Sequence, residues 1–201
     1  MPGSILLSTA YLPPAEYFAR IINAKEVLIE REENYLKQSY RNRCYILSVS
    51  GPQALTVPVY LGSFHKTSIK DIRIDYSKRW QQVHLGAMVS AYSSSPFFLY
   101  YYEELEKIIL NNHQFLLDLN LELIMTILKM IRMEVNISFS TDFRPVNKTK
   151  NDFRYNINPK KKSDYIMKPY LQVFSQDKGF TPGLSIVDLL FNMGPEAVKY
   201  L

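Results

Sequence analysis

Apolar positions in this chain fall into short runs punctuated by turn residues and longer runs at helical spacing. Ser4 to Ser8 (SILLS) predicts a strand, Tyr11-Leu12-Pro13-Pro14 a loop, and Ala15 to Asn23 a helix. Glu26 to Ile29 (EVLI) predicts a second strand, and Arg43 to Val49 and Ala54 to Val59 predict a hairpin closed by Ser50-Gly51-Pro52-Gln53. Pro58 lacks an N–H for a ladder, which sends the returning strand to an edge or bulge there. Ile69 to Ile74 (IKDIRI) alternates, setting Ile69, Asp71 and Arg73 opposite Lys70, Ile72 and Ile74.

The middle of the chain reads as helical. Ser77 is the expected N-cap of a helix through about Tyr92, Ser95-Pro96 starts another through EELEKIIL, and Phe115 to Met133 makes a third. Val135 to Ser140 returns to strand character. From Asp142 to Lys168 the chain turns polar and predicts a long loop, followed by a short strand at PYLQVF and a helix from Leu184 to Phe191. Strands on both sides of helical blocks with crossover-sized spacers predict an α/β fold: a single domain over residues 1–201, with a mixed sheet, a β-hairpin and flanking helices.

Composition narrows the partners. The chain has 201 residues, and its 47% hydrophobic and 21% charged content is that of an ordinary globular domain. Fifteen Tyr and eleven Phe against one Trp supply many rings with a polar tip, suited to cores and to half-wet pocket walls. A net charge of +5 favours anionic partners. Cys44 is alone, which fits a reducing cytoplasm, and His65, His84 and His113 show no metal-ligand spacing. The first ten residues do not read as a signal peptide, and the apolar stretch Phe115 to Met133 is interrupted by Asp118, Glu122, Lys129 and Arg132, so no membrane span is expected.

Tyr35 to Leu47 (YLKQSYRNRCYIL) is the most unusual segment. If it is extended, Lys37, Ser39, Arg41, Arg43 and Tyr45 share one face at ~7 Å spacing, the span of a phosphate or carboxylate with its donors. Arg suits two-pronged recognition of such groups and Lys acts as a point charge. Two readings stand: the cations line an anion pocket, or Glu30, Glu32 and Glu33 pair with them at the surface. Asn42, on the face of Cys44 and Ile46, needs partners and either fixes a loop or faces a ligand.

The same residues carry a resemblance. Tyr11-x-Pro13 with Tyr17-Phe18, Tyr35-x-Lys37 with Asn42-Arg43, Pro58 in LTVPV, Trp80 with Tyr92 and Pro96, Leu119-Asn120, and FTPGLSIVDLLFN from Phe180 to Asn192 resemble the WbqC-like protein family in order and spacing. The chain is similar to a short branch, abbreviated between Thr141 and Tyr170. The resemblance implies a bacterial, cytoplasmic protein linked to surface-polysaccharide or O-antigen biosynthesis, and it names no cofactor. It supplies no established catalytic residue; Tyr11 and His84 are the candidates for chemistry. Tyr17, Asn42, Trp80 and Tyr92 join Lys37, Arg41 and Arg43 as candidates for substrate contact.

Trp80, His84, Met88 and Tyr92 recur every four positions along one helix. That stripe is either core, with His84 hydrogen-bonded, or it faces the cations with His84 as general base. Asp188, on an apolar helix, needs a partner such as an Arg, as a structural ion pair or a catalytic group. Lys160 to Lys162 near Tyr155 and Tyr165 read as a solvated loop or as a nucleic-acid contact. The Tyr11 to Pro14 loop after the first strand is a natural pocket rim, with the next helix directing N–H groups toward it. No Gly-rich phosphate loop, nucleophile elbow or Cys/His metal cluster is present. The leading expectation is a transferase of glycan or sugar-nucleotide metabolism acting on an anionic small molecule, a sugar nucleotide or phosphorylated metabolite, gripped by Lys37, Arg41 and Arg43; the resemblance suggests an acyl or aminoacyl group passed to an amino sugar. The alternatives are a non-catalytic binding module for such a metabolite or a protein partner, and an RNA-binding module.

Overall fold

The computed structural model describes residues 3–60, 67–145, 151–175 and 179–201. His65 and residues 146–150 of the expected long loop lie outside them. The fold is α/β, and its strands divide between two sheets: a parallel one and an antiparallel hairpin. Ser4–Ser8 (β1), Glu26–Glu30 (β2) and Ile137–Phe139 (β5) form the parallel sheet in the order β1-β2-β5. Ile5, Leu6, Leu7 and Ser8 are all buried, as expected of a parallel strand covered on both faces. On its free side β1 is flanked by residues 151–153, where Leu6 N donates to Asn151 O (2.9 Å) and Phe153 N to Leu6 O (2.9 Å). The far loop is thereby tied to the sheet.

Ala15–Ile22 (α1) follows β1 and buries Ala15, Tyr17, Phe18, Ala19 and Ile21. It stops at Asn23, whose side-chain amide caps the Ala19 carbonyl at 2.8 Å. Trp80–Tyr92 (α2), Phe98–Leu110 (α3) and Leu116–Met130 (α4) are the three helices of the middle. Leu116, Leu119, Asn120, Leu123, Ile124 and Ile127 give α4 its buried stripe. Ile186–Met193 (α5) starts at Ser185, whose hydroxyl accepts from Val187 N at 3.4 Å. It ends at Gly194 (φ 53°, ψ −127°), where a Cβ would lie 2.5 Å from the Phe97 ring; only glycine fits. Among the described residues, no helix is long and apolar enough to cross a membrane.

Four local expectations change. The hairpin pairs Arg43–Ser48 (β3) with Gly51–Thr56 (β4) in the register Ser48↔Gly51 to Arg43↔Thr56, so the turn is Val49-Ser50 and Pro52 lies inside the strand. Pro52 is tolerated because it faces Leu47 across a pair in which Leu47 N points away, donating to the Tyr92 hydroxyl at 3.0 Å. Pro58 falls just past the ladder, its carbonyl accepting from Asp75 N at 2.9 Å. Ile69–Asp71 is a 3-10 turn, not part of a strand; its three-residue repeat brings Ile69 and Ile72 to the same buried side. Residues 169–174 form no strand, and the buried Gln172 fastens them by side-chain hydrogen bonds.

The fourth change concerns the cations. Residues 37–42 form turns, with Gln38 at φ 56°, and β3 begins only at Arg43. The extended face expected to align Lys37, Arg41 and Arg43 is therefore not formed. Lys37 is exposed and Arg43 half-buried, while Arg41 is 2% exposed and forks onto Glu33, with Nε to Oε1 at 2.8 Å and Nη2 to Oε2 at 2.6 Å. The upstream glutamates are taken up as pairs, in the interior as well as at the surface. Glu32 meets Lys70 outside, whereas Glu30 is fully buried against Arg154 at 2.9 Å. A charge this deep must be matched, and that requirement folds the segment inward.

Candidate functional site

Beyond the carboxyl end of β1, at the first turn of α1, the surface opens into a cleft of about 390 Å³. That is within the range of small-molecule sites. Pro14, Ala15 and Glu16 form one wall, Tyr40, Tyr45 and Pro52 a second, residues 157–167 a third, and Pro182, Gly183 and Leu184 the end. Backbone bonds fix this junction: Ala15 N to Leu184 O (3.3 Å), Ile186 N to Pro13 O (2.9 Å) and Ser185 N to Tyr45 O (2.7 Å). Ser185 Oγ adds a bond to Leu12 O at 2.7 Å.

The third wall is shaped by turn chemistry. Asn158, Pro159, Lys160 and Lys161 occupy the four positions of a β-turn closed by Lys161 N donating to Asn158 O at 3.0 Å. The Asn158 side chain also accepts from Lys160 N at 2.9 Å. This turn presents Lys161 and Lys162 to the cleft. Tyr165 follows, its ring 5.7 Å from the Arg20 guanidinium, which also lies 4.7 Å from the Phe153 ring. Tyr40 and Tyr45 meet edge to face at 6.2 Å, and burial raises the Tyr40 hydroxyl above its usual pKa, keeping it protonated. Among the described residues, the cleft thus offers aromatic faces, two cations and one carboxylate.

None of the residues nominated for chemistry or for substrate contact lines this cleft. Tyr11 is fully buried with its hydroxyl 2.9 Å from His84 Nδ1. Tyr17 is in the core with its hydroxyl on Ser8 O at 2.8 Å. Trp80 packs against His84 at 5.1 Å between ring centroids. Asn42 donates to Val57 O at 2.9 Å and holds the start of the hairpin. Tyr92 donates to Asp188 at 2.9 Å. These residues, with Arg41, build the frame behind the cleft. Pro14 and the first turn of α1 do form a rim, as the loop after β1 suggested. Tyr40, Tyr45, Glu16, Lys161 and Lys162 complete it, and only the lysine run and Tyr165 carried a sequence signal of ligand contact.

The α2 stripe of Trp80, His84, Met88 and Tyr92 faces the core. Burial lowers the His84 pKa to about 4, opposed in part by a backbone hydrogen bond to Thr56. The folded value lies below the unfolded one, ~6.5. The stability that neutral His84 contributes is therefore complete above the unfolded pKa and is lost as pH falls through about 4. An NMR titration of the His84 ring should show no protonation step near neutral pH and one near 4. A step near neutrality would restore His84 as a general base.

Among the described residues, no cation pairs with Asp188. It is buried on α5 and accepts from Tyr170 OH (2.5 Å), Tyr92 OH (2.9 Å) and Gln172 Nε2 (3.0 Å). The expected Arg is replaced by three neutral donors.

Comparisons with known proteins place the chain among relatives. The profile of the WbqC-like protein family matches residues 9–170 and 162–200. The chain is similar to Uncharacterized protein Rv1507c of Mycobacterium tuberculosis, at 26% identity over 223 aligned residues covering 98% of this chain and 96% of that one. No solved structure matches it.

Proposed function

The chain belongs to the WbqC-like protein family, and from that premise, which suggests a role in polysaccharide-related biosynthesis, we propose a transferase that holds a sugar nucleotide or similarly phosphorylated sugar in the cleft. The observation that carries this reading is the convergence of Lys161 and Lys162 with the rings of Tyr40, Tyr45 and Tyr165 around one cavity. The lysines suit a diphosphate as point charges, and the tyrosines suit stacking against a base or sugar. Open α/β sheets bind ligands outside the carboxyl ends of their strands, where this cleft lies.

Calorimetric titration with UDP and UDP-glucose tests it. The Lys161→Ala/Lys162→Ala variant should bind both about tenfold more weakly than the wild type. Its thermal unfolding should be unchanged, because both lysines are exposed. Equal affinity in the variant would remove the cleft from the reading. A steep loss of affinity with salt, seen only for RNA, would favour the nucleic-acid alternative.

A further inference from the structure

We propose that the outer face of α2 is a two-fold interface between copies of this chain. Residues 80–102, which span α2 and the start of α3, contain no Lys, Arg, Asp or Glu, although 21% of the whole chain is charged. Burial within the fold accounts for one side of α2 only, where Trp80, His84, Leu85, Met88 and Tyr92 face the core. The opposite side carries Val83, Gly86, Val89 and Ser90, spaced by three and four residues along one face and all exposed, Val83 at 61% and Val89 at 40%. Where α3 begins, Leu99 is 84% and Tyr100 78% exposed. A surface helix ordinarily turns charged residues outward, and one that is apolar on both sides is covered on both. Loss of charge together with exposed aromatic rings is the composition of an interface core.

A second copy matches this face in shape and in charge. When α2 pairs antiparallel with its twin about Gly86, Val83, three residues before that point, meets Val89, three residues after it, and symmetry makes the contact twice. Glycine is the poorest helix former after proline, and a Cβ at Gly86 would meet nothing in the fold, so the chain's own packing gives no reason for it. At a helix crossing it lets two backbones approach closely. The charges point the same way. Lys78 and Arg79 stand exposed at the N-terminal end of α2, where cations oppose the helix dipole, and its last turn holds no basic residue, where one would favour it. Antiparallel pairing about Gly86 sets Arg79 opposite Ser93 of the second copy, so the cations of each chain reach the carboxyl end of the other's helix.

Sedimentation equilibrium tests the interface, and disulfide trapping tests its register. The wild type should sediment as a dimer of its 23.5 kDa chain at ~10 μM. Val83→Glu carries two charges into the contact and should weaken association about a hundredfold. Its circular dichroism should match that of the wild type, because position 83 is exposed. Cys44 is fully buried, so cysteines introduced on this face are the accessible ones. An equimolar mixture of Val83→Cys and Val89→Cys chains should yield a crosslinked dimer on mild oxidation, and either chain alone should yield little. A wild type that stays monomeric at ~100 μM overturns the proposal, and binding of that monomer to zwitterionic vesicles would assign the face to lipid instead. A Val83→Glu dimer of unchanged strength overturns it too, as does crosslinking of Val83→Cys with itself as readily as with Val89→Cys.

Discussion

Replacing Arg154 with alanine should destabilise the protein by about 3–5 kcal/mol, the scale on which breaking a buried ion pair acts. Arg154 is fully buried. Its Nη1 reaches Glu30 at 2.9 Å, its Nη2 reaches Asp152 at 2.6 Å and the Arg144 carbonyl at 2.7 Å, and its guanidinium lies 5.4 Å from the Phe143 ring and 5.7 Å from that of Tyr155. Glu30 ends β2 and also takes the Ser140 hydroxyl, so the guanidinium clasps the sheet to the segment flanking β1. Without it the Glu30 carboxylate stays desolvated with no cation. Native domains have only about 5–15 kcal/mol in hand, so a large unfolded fraction is expected. The urea midpoint should fall with the slope unchanged. Because residues 151–153 lead directly into the cleft wall, UDP binding should fall as well. The double variant Arg154→Met/Glu30→Gln should recover part of the loss, since it removes the charge stranded at Glu30 and leaves only that of Asp152, at 7% exposure. A loss below ~1 kcal/mol for Arg154→Ala would mean that the clasp behaves like a surface bridge.

The parts of the fold that were legible in sequence are those whose periodicity is enforced by burial. β1, α1, β2 and the α2 and α4 stripes were predicted near their observed positions because each buries one face or both. Lys37, Arg41 and Arg43 share a face only if residues 37–42 are extended, and a row of charges has no burial behind it to enforce that. Glu33 lies eight residues from Arg41 and decided the local shape instead. Gly51-Pro52 has the composition of a turn and the geometry of a strand, since the ladder makes no use of the Pro52 N–H. The cleft was the least legible part. Its walls meet through pairs such as Ser163 with Glu16, separated by 147 positions, and nothing in one sequence marks which polar loop returns to which helix. Asn42 and Asp188 read in sequence as polar groups needing partners, and each finds them in the frame.

Asp188→Ala should cost about 3 kcal/mol, because it strands three buried donors whose loss of a partner carries ~1–3 kcal/mol each before relaxation. The donors come from three places: Tyr92 on α2, which also receives Leu47 N of β3; Tyr170; and Gln172, which holds Thr181 through its Nε2 (2.9 Å) and Oε1 (2.8 Å). Asp188 thereby anchors the strap that leads to Pro182, Gly183 and Leu184 at the end of the cleft, and the alanine variant should bind UDP more weakly. The pH dependence separates charge from connectivity. Burial raises the Asp188 carboxyl above its ordinary range, and the three donors pull it only part of the way back. The folded pKa then exceeds the unfolded value of ~3.9, so the fold holds this proton more tightly than the unfolded chain. The stabilisation is complete below the unfolded pKa and is lost as pH rises through the folded one. Asp188→Asn cannot titrate, while Glu33 and His84 contribute equally to both proteins and cancel in the difference. The Tm of wild type minus that of Asp188→Asn should be greatest at the acid end and shrink as pH rises through the raised carboxyl pKa. A difference that is flat with pH would show that Asp188 ionises in the interior as it does in water, and that the hydroxyls of Tyr92 and Tyr170 stabilise its charge fully.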